Sequence, residues 1–463
     1  MASADTEPEY FPGFFGEYSH DTFGYLEPID NYLEKGNYLP HERMPGYGLI
    51  YGLLLTVLTK THALNLLIIL QSILGGIAVY AIARVAGFIT KSQKVFILTF
   101  YIALFTTYTT WYDHFLLTES FSVSALVLMV YFYFRYQEIK NPSFIIIAGL
   151  FFAWAVFLRA VMLPLGILVV LLMIWEHKEE LKNGFKLAFL FLLPFLIVDS
   201  LWVYSGYRRF KKFIPLQESF LGRSQSNVFF EPAFRFVQSW GGNYLWWDPG
   251  AEISYFGLGH NSLAYFDQKD IQFPSEIFTS AFNQDSLQQL QQDLLSLKFD
   301  SAHLSDLEFD LRANSIYARF DRYSQSIKSE APTLYWFDSR IKLMRQFFFT
   351  TKVRNPYYGL SFPFRDRLIR IKSFTYAGTL ILGYLSSLII LFFLRENASI
   401  ILISGIVWYI FLIHPIILRV VENRYLLPSY PFISLSIILA STFVLKKLKF
   451  GKALSNSSHS SAQ

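Results

Sequence analysis

The stretch "HALNLLIILQSILGGIAVYAIARVAGF", from His62 to Phe88, decides the class of this protein. It is long enough for an α-helix to cross a bilayer, which needs roughly 17 to 25 mostly apolar residues. Its one charged side chain is Arg84, near the end of the run. Eight further runs are also mostly apolar: Val95 to Trp111, Phe115 to Tyr136, Phe144 to Leu158, Val161 to Trp175, Phe185 to Tyr204, Phe374 to Leu394, Ala398 to Leu418 and Tyr425 to Leu445. The sequence therefore predicts about nine transmembrane helices, with a break between two short ones near Arg159.

Composition agrees with a membrane protein and excludes several other classes. Of 463 residues, 53% are hydrophobic and only 16% are charged, which is more apolar than a soluble chain of this length. The net charge of +5 is spread over many loops, so a nucleic-acid partner is not expected. The chain has no cysteine, which excludes disulfides, thiolate metal sites and cysteine nucleophiles.

The apolar runs divide the chain into five segments. Residues 1–61 form an acidic loop with short interfacial helices, 62–204 an N-terminal transmembrane bundle, 205–372 a polar domain inserted after the sixth visible helix, 373–445 a second bundle, and 446–463 a basic tail. Alternate short loops carry the Lys and Arg residues, and such loops face the cytoplasm. We therefore expect an all-α polytopic membrane protein whose loop 1–61 and mixed domain 205–372 both lie outside the cytoplasm.

This topology limits the substrates. The cytoplasmic loops are too short for a nucleotide-binding domain, and the chain has neither a P-loop nor a GxGxxG turn after a strand. An enzyme that works on the outer face must use a substrate that has already been exported, most simply one carried by a lipid.

Five motifs resemble one known family, the GT-C glycosyltransferases, in the branch of the lipid A aminoarabinose transferases and protein O-mannosyltransferases. The chain is similar to that family, in order, in these stretches: "HDTFGYLEPIDNYLEKG" at His20 to Gly36, "RMPGYGLIYGLL" at Arg43 to Leu54, "LLTESF" at Leu116 to Phe121, "FLRAVMLPLGI" at Phe157 to Ile167 and "ENRYLLPSYPFISL" at Glu422 to Leu435. The resemblance implies a GT-C-like fold and a polyprenyl-phosphate-linked sugar as donor. It also implies a helix before the acidic loop, so we expect one to be encoded upstream of Met1.

The resemblance makes Asp21 the candidate catalytic residue. In GT-C enzymes an acid of the first outer loop helps the acceptor to attack the anomeric carbon while polyprenyl phosphate leaves from the opposite face, with inversion. A carboxylate can accept the acceptor's proton or orient its hydroxyl. The alternative is an acid that only caps the helix beginning near Thr22.

Three arginines are candidates for binding the donor phosphate: Arg43, Arg159 and Arg424. Arginine offers permanently protonated, bidentate donors to a phosphate that gains charge as it leaves. The alternative is that these side chains snorkel to lipid headgroups.

A further outer cluster, Asp113, His114 and Glu119, is a candidate acceptor site or second acidic site. Glu119 stands in the first turn of a predicted helix, where the dipole also favours a carboxylate for structural reasons. Asp113 and His114, with His41 and Glu42, could bind a divalent metal, although no spacing among them is diagnostic.

The resemblance implies a glycosyltransferase of the cell envelope, a hexosyl or pentosyl transferase in the bacterial inner membrane, and the loop charges predict that its active site lies on the outer face. Its expected partners are a polyprenyl-phosphate-linked sugar, a lipid, glycan or protein acceptor, and membrane lipids. A lipid or solute transporter and a protein resembling O-antigen ligases or polymerases remain as alternatives. Transporters tend to have inverted repeats, and no repeat is visible in the sequence.

Overall fold

A computed structural model describes residues 13–39, 43–217, 230–242, 256, 273–300, 303–349, 364–394 and 397–460. The described residues are helical and contain no strand, apart from one isolated bridge between Glu17 and Phe115. The α-helices in the first half are α1 His20–Lys35, α2 Gly48–Leu55, α3 Lys60–Thr90, α4 Gln93–Leu104, α5 Thr107–Thr110, α6 Thr118–Ile139, α7 Ser143–Leu158, α8 Leu163–Glu176 and α9 Leu181–Phe210. Those in the second half are α10 Phe230–Ser239, α11 Gln284–Asp300, α12 Asp306–Glu330, α13 Ser339–Phe349, α14 Arg365–Leu394, α15 Ala398–Leu412 and α16 Tyr430–Ser460. The all-α expectation is thus confirmed for this part of the chain.

Within the described ranges, five helices are long and apolar enough to cross a membrane: Lys60–Thr90, Leu181–Phe210, Arg367–Leu394, Ala398–Leu418 and Asn423–Lys447. A sixth candidate is the pair Gln93–Leu104 and Tyr108–His114, which is bent by 42°. The remaining predicted spans form α6 and the shorter α7 and α8, of 16 and 14 residues. Because those five helices are long and apolar enough to cross a bilayer, the chain is an integral membrane protein. The total of nine spans stays a prediction.

Contacts divide the chain into two compact units. The first, which we call the helical bundle, comprises Tyr10–Glu218, Lys352–Phe411 and Asn423–Gln463. The second, which we call the inserted unit, comprises Met1–Glu9, Ser219–Thr351 and Leu412–Glu422. The core of the inserted unit is aromatic, with Phe236, Phe256, Phe282 and Phe320 all fully buried.

In the helical bundle, α1 is tied to the start of α6. The N-cap of α1 is Ser19, whose backbone N–H donates to Thr22 Oγ1 at 2.9 Å. Thr22 Oγ1 in turn donates to the carbonyl of Leu116 at 3.0 Å, and the bridge between Glu17 and Phe115 runs alongside. Because the cap is made by Ser19 and Thr22, the carboxylate of Asp21 is available for other partners.

The predicted break near Arg159 is confirmed, and Gly46 packs against it. Helix α7 ends at Leu158, Arg159 is extended, and a 3₁₀ turn at Ala160–Met162 leads into α8. The N–H of Gly46 donates to the carbonyl of Phe157 at 3.1 Å, and a Cβ on Gly46 would lie 2.4 Å from that carbonyl group. Only glycine allows this approach, so the Pro-Gly step after Arg43 docks the first loop against the end of α7.

Candidate functional site

Two arginines bind the carboxylate of Asp21, which lies in the first turn of α1. Arg43 Nη2 contacts one carboxylate oxygen, and Arg424 Nη1 contacts the other. Arg43 comes from the loop before α2, and Arg424 from the 3₁₀ segment Asn423–Ser429 before α16. Asp21 therefore joins two loops that are far apart in sequence, and the side chain is not a helix cap.

Glu119 forms the second anionic centre of the same cluster. Its Oε1 lies 3.5 Å from Arg159 Nη1 and 3.6 Å from Arg424 Nε. Glu119 is 1% exposed, while the side chains of Arg159 and Arg424 are 14% and 15% exposed. The predicted donor-binding arginines thus point inwards onto carboxylates and do not extend freely to solvent.

Aromatic rings flank the guanidinium groups. Arg43 lies over the ring of Tyr25, with its Cζ 4.3 Å from the ring centroid. Arg159 and Arg424 both lie near the ring of Tyr425, with their Cζ atoms 5.3 and 5.7 Å from its centroid. Such contacts attract cations through the ring quadrupole and fix the planes of the guanidinium groups.

Gly24 leaves room for Arg43. A Cβ at this position would stand 2.9 Å from Arg43 Nε and 3.4 Å from its Cδ. Gly24 is three residues beyond Asp21 and next to Tyr25, so it lies on the face of α1 that Arg43 covers. Any side chain there would push Arg43 away from Asp21.

The surroundings of Asp21 keep it ionised. Burial alone would raise its pKa, but Arg424 and Arg43 lower it, and the pKa falls from 3.8 to about 2. For Arg43, burial by itself would lower the pKa, whereas Tyr25 and Asp21 raise it. At neutral pH this part of the cluster is therefore a set of permanent charges, and Asp21 is a weak base.

In the part of the cluster that the structure describes, positive charges outnumber negative ones. Three guanidinium groups, those of Arg43, Arg159 and Arg424, face the two carboxylates of Asp21 and Glu119. Among the described residues, the buried Nη1 of Arg159 pairs with Glu119 Oε1 at 3.5 Å but makes no hydrogen bond. An anionic ligand would supply a hydrogen-bond acceptor for this donor, so the cluster is suited to such a ligand.

Asp113 and His114 lie apart from this cluster. Asp113 Oδ1 accepts a hydrogen bond from Ser120 Oγ at 2.5 Å, and no described cation pairs with it. The carbonyl of His114 accepts from the N–H of Glu17 at 2.8 Å. Of the predicted outer trio, only Glu119 contacts the arginines.

No group of three or more His, Cys, Asp or Glu side chains that could hold a metal occurs among the described residues. His41 and Glu42, which we considered as ligands with Asp113 and His114, lie outside the described residues. We call Asp21, Arg43, Glu119, Arg159 and Arg424 the arginine cluster. These described residues include two carboxylates, and each is paired with guanidinium groups.

Sequence reasoning did not select Tyr25, Tyr425 or Gly24. The signals were present, because Tyr25 follows Asp21 by one helical turn and Tyr425 is adjacent to Arg424. Aromatic residues make up 19% of this chain, however, so two tyrosines near charged residues do not stand out. Their role follows from the ring-to-cation distances.

No protein-family model matches the chain, and no curated protein matches it. A solved structure to which it is similar is the archaeal oligosaccharyltransferase AglB from Archaeoglobus fulgidus, in complex with an inhibitory peptide and a dolichol-phosphate. The superposition has a TM-score of 0.46 at 13% sequence identity and covers 96% of this chain and 49% of that one. The chain therefore spans about half the length of that protein.

Proposed function

We propose that the arginine cluster binds the phosphate of a polyprenyl-phosphate-linked sugar and that the protein transfers the sugar to a lipid, glycan or protein acceptor. The observation that carries this proposal is that, among the described residues, three largely buried guanidinium groups share only two carboxylates. The cluster lies where α1, α6 and the segment before α16 meet in the helical bundle. A ligand with an anionic head and an apolar tail suits charges set among membrane helices.

The charge of the cluster suits a phosphate-linked donor. A sugar joined to a lipid through one phosphate is a phosphodiester with a single negative charge, which matches the excess of one guanidinium over the carboxylates in the described part of the cluster.

The transfer step creates charge at the phosphate. The acceptor hydroxyl oxygen attacks the anomeric carbon, the bond from that carbon to the phosphate oxygen breaks, and polyprenyl phosphate leaves with inversion at the sugar. The leaving group becomes a phosphate monoester, which can hold a second negative charge. Arg159 and Arg424 would stabilise that charge as it develops, and such stabilisation lowers the barrier.

The role of Asp21 in this step is orientation. A phosphate monoester takes up a proton with a pKa of about 6, whereas the pKa of Asp21 is about 2. The acceptor's proton therefore ends on the leaving phosphate, and Asp21 accepts a hydrogen bond from the hydroxyl and aims its oxygen at the anomeric carbon. Glu119 is a positioning residue, because it holds Arg159 and Arg424 together.

The test is transfer by purified protein from a panel of radiolabelled polyprenyl-phosphate sugars, hexoses and pentoses, to acceptors in a membrane extract. We expect one sugar to be transferred, and Arg159→Gln to raise the donor KM by about tenfold or more, because a charged hydrogen bond contributes about 1.5–3 kcal/mol. Arg135→Gln is the matched control, since Arg135 pairs with Glu138 at the far end of α6. Absence of transfer from every donor, or parental kinetics in Arg159→Gln, would overturn the proposal.

We also propose that the reaction takes place on the outer face of the bacterial inner membrane, as the distribution of Lys and Arg between loops predicts. The chain contains no cysteine, so a single introduced thiol can report topology. Ser329 is exposed on the inserted unit. We expect Ser329→Cys to react with an impermeant maleimide in intact cells, and reaction only after lysis would contradict the proposed side.

A further inference from the structure

A second group of cations lies in the inserted unit, around two adjacent aromatic rings. Arg419 lies over Tyr335, with its Cζ 4.6 Å from the ring centroid. Arg340 lies 5.5 Å from Tyr335 and 5.3 Å from Trp336, and Lys328 lies 5.8 and 5.7 Å from the same two rings. We call these five residues the cation–aromatic cluster.

The three cations of this cluster have no anionic partner among the described residues. Other arginines of the inserted unit are paired, for example Arg319 with Asp293 at 2.6 Å and Arg312 with Asp300 at 3.0 Å. Arg340 is only 8% exposed, and its Nη1 donates to the hydroxyl of Ser339 at 2.9 Å. Arginine is seldom buried unless it is paired, so Arg340 lacks the partner that its burial calls for.

Electrostatics support the same conclusion. Burial lowers the pKa of Arg340, and the neighbouring charge of Arg419 lowers it further, while Tyr335 raises it. Like charges held side by side without a counterion destabilise the fold. An anion that enters between Arg340 and Arg419 would remove this repulsion.

The backbone holds the cluster in place. Arg419 has a φ of +51°, in the left-handed region that side chains other than glycine seldom adopt. Gln238, which is buried, donates to the carbonyls of Leu418 and Arg419 at 2.8 and 3.0 Å and fixes this turn. Tyr335 and Trp336 belong to a π-helical segment, Leu334–Asp338, and such segments occur frequently at functional sites.

We propose that the cation–aromatic cluster of the inserted unit is a binding site for a phosphate-bearing anion, in addition to the arginine cluster of the helical bundle. Arg340 and Arg419 supply planar donors that match phosphate oxygens in pairs, and Lys328 adds a third charge. Three cations without a carboxylate favour a phosphate, which carries up to two charges, over a carboxylate, which carries one. The phosphate can belong to a lipid headgroup or to a free ion.

The test uses the full chain with Phe337→Cys, carrying an environment-sensitive fluorophore, in nanodiscs. Phe337 is 67% exposed beside Trp336 and is not one of the cations. One arm titrates inorganic phosphate, with acetate as comparison, in phosphatidylcholine discs. The other arm mixes phosphatidylglycerol into the discs. A response to phosphate alone identifies a free ion, and a response to phosphatidylglycerol alone identifies a headgroup.

We expect a saturable response in at least one arm and about tenfold weaker binding in Arg419→Gln, since one charged contact contributes about 1.5–3 kcal/mol. Arg312→Gln is the matched control, because it removes the same charge from a paired arginine of the same unit. If Arg340→Gln does not accumulate, Arg419→Gln and Lys328→Gln decide, since neither residue is buried. No response in either arm, a response to acetate equal to that to phosphate, or equal weakening in Arg312→Gln would overturn the proposal.

Discussion

Replacing Asp21 by Asn tests the proposed chemistry most directly. The substitution keeps the shape of the side chain and removes the charge that holds Arg43 and Arg424. The pKa of Asp21 falls from 3.8 to about 2 in the folded protein, which corresponds to about 2 kcal/mol of favourable interaction with the ionised form. Because the folded pKa is the lower one, this stability is present above pH 3.8 and is lost as the pH falls towards 2. Asp21→Asn is therefore expected to lose it at neutral pH.

Asp21→Asn is expected to lower turnover without weakening donor binding. Without Asp21, the acceptor hydroxyl is no longer oriented, and kcat should fall by about 10²-fold or more, as losses of oriented polar groups in active sites do. The cluster gains one net positive charge, so the KM for the anionic donor should stay the same or fall. The assay is transfer of radiolabelled sugar at varied donor concentration, together with thermal unfolding of the purified variants.

Asp30→Asn provides the control for this experiment. Asp30 lies on the same helix and is also in an ion pair, with Lys60 at 2.8 Å, but it does not contact the arginine cluster. We expect Asp30→Asn to retain parental kcat while losing some stability. Parental turnover in Asp21→Asn would refute the reasoning and would move the catalytic assignment to Glu119. An increased donor KM at unchanged kcat would mean that Asp21 serves only to hold the arginines.

Three further outcomes are expected. Glu119→Gln removes the charge of a 1% exposed carboxylate that holds Arg159 and Arg424, so kcat should fall by about tenfold or more while donor affinity is kept. Glu119→Asp should restore part of the rate. Equal kinetics in the parental protein and both variants would exclude a positioning role. Gly24→Ala should raise the donor KM because the added Cβ would stand 2.9 Å from Arg43 Nε. Gly76→Ala should leave the donor KM unchanged, since a Cβ there would meet no atom within 4 Å. Equal changes of KM in the two variants would contradict this prediction. In a pH–rate profile, kcat should show no acid limb from Asp21 between pH 5 and 8, since its pKa is about 2; a limb near pH 6 that Asp21→Asn abolishes would show it to be a general base after all.

Much of the fold is predictable because apolar runs and their breaks are local properties. The run His62 to Phe88 became Lys60–Thr90, and Arg159 marks the break between α7 and α8, as expected. The run from Val95 was predicted as one helix, but α4 ends at Leu104. Thr106 and Thr110 there bond back to carbonyls four residues earlier, a pattern that often bends helices.

The sequence by itself determined that this is a polytopic helical protein and which charged residues have useful chemistry. Asp21, Arg43, Arg159 and Arg424 were selected from residue type and motif, and the structure brings them together with Glu119. Asp113 and His114 were selected on the same grounds but do not join them.

Only the tertiary structure decided how these charges are paired. Coulomb interaction depends on distance through space, and sequence separation does not encode that distance for residues in different helices. The division of Asp21 between two arginines, and therefore its low pKa, follows from the docking of α1 against α6 and the segment before α16. The same holds for the cation–aromatic cluster, because Arg419 meets Tyr335 only through the turn that Gln238 holds.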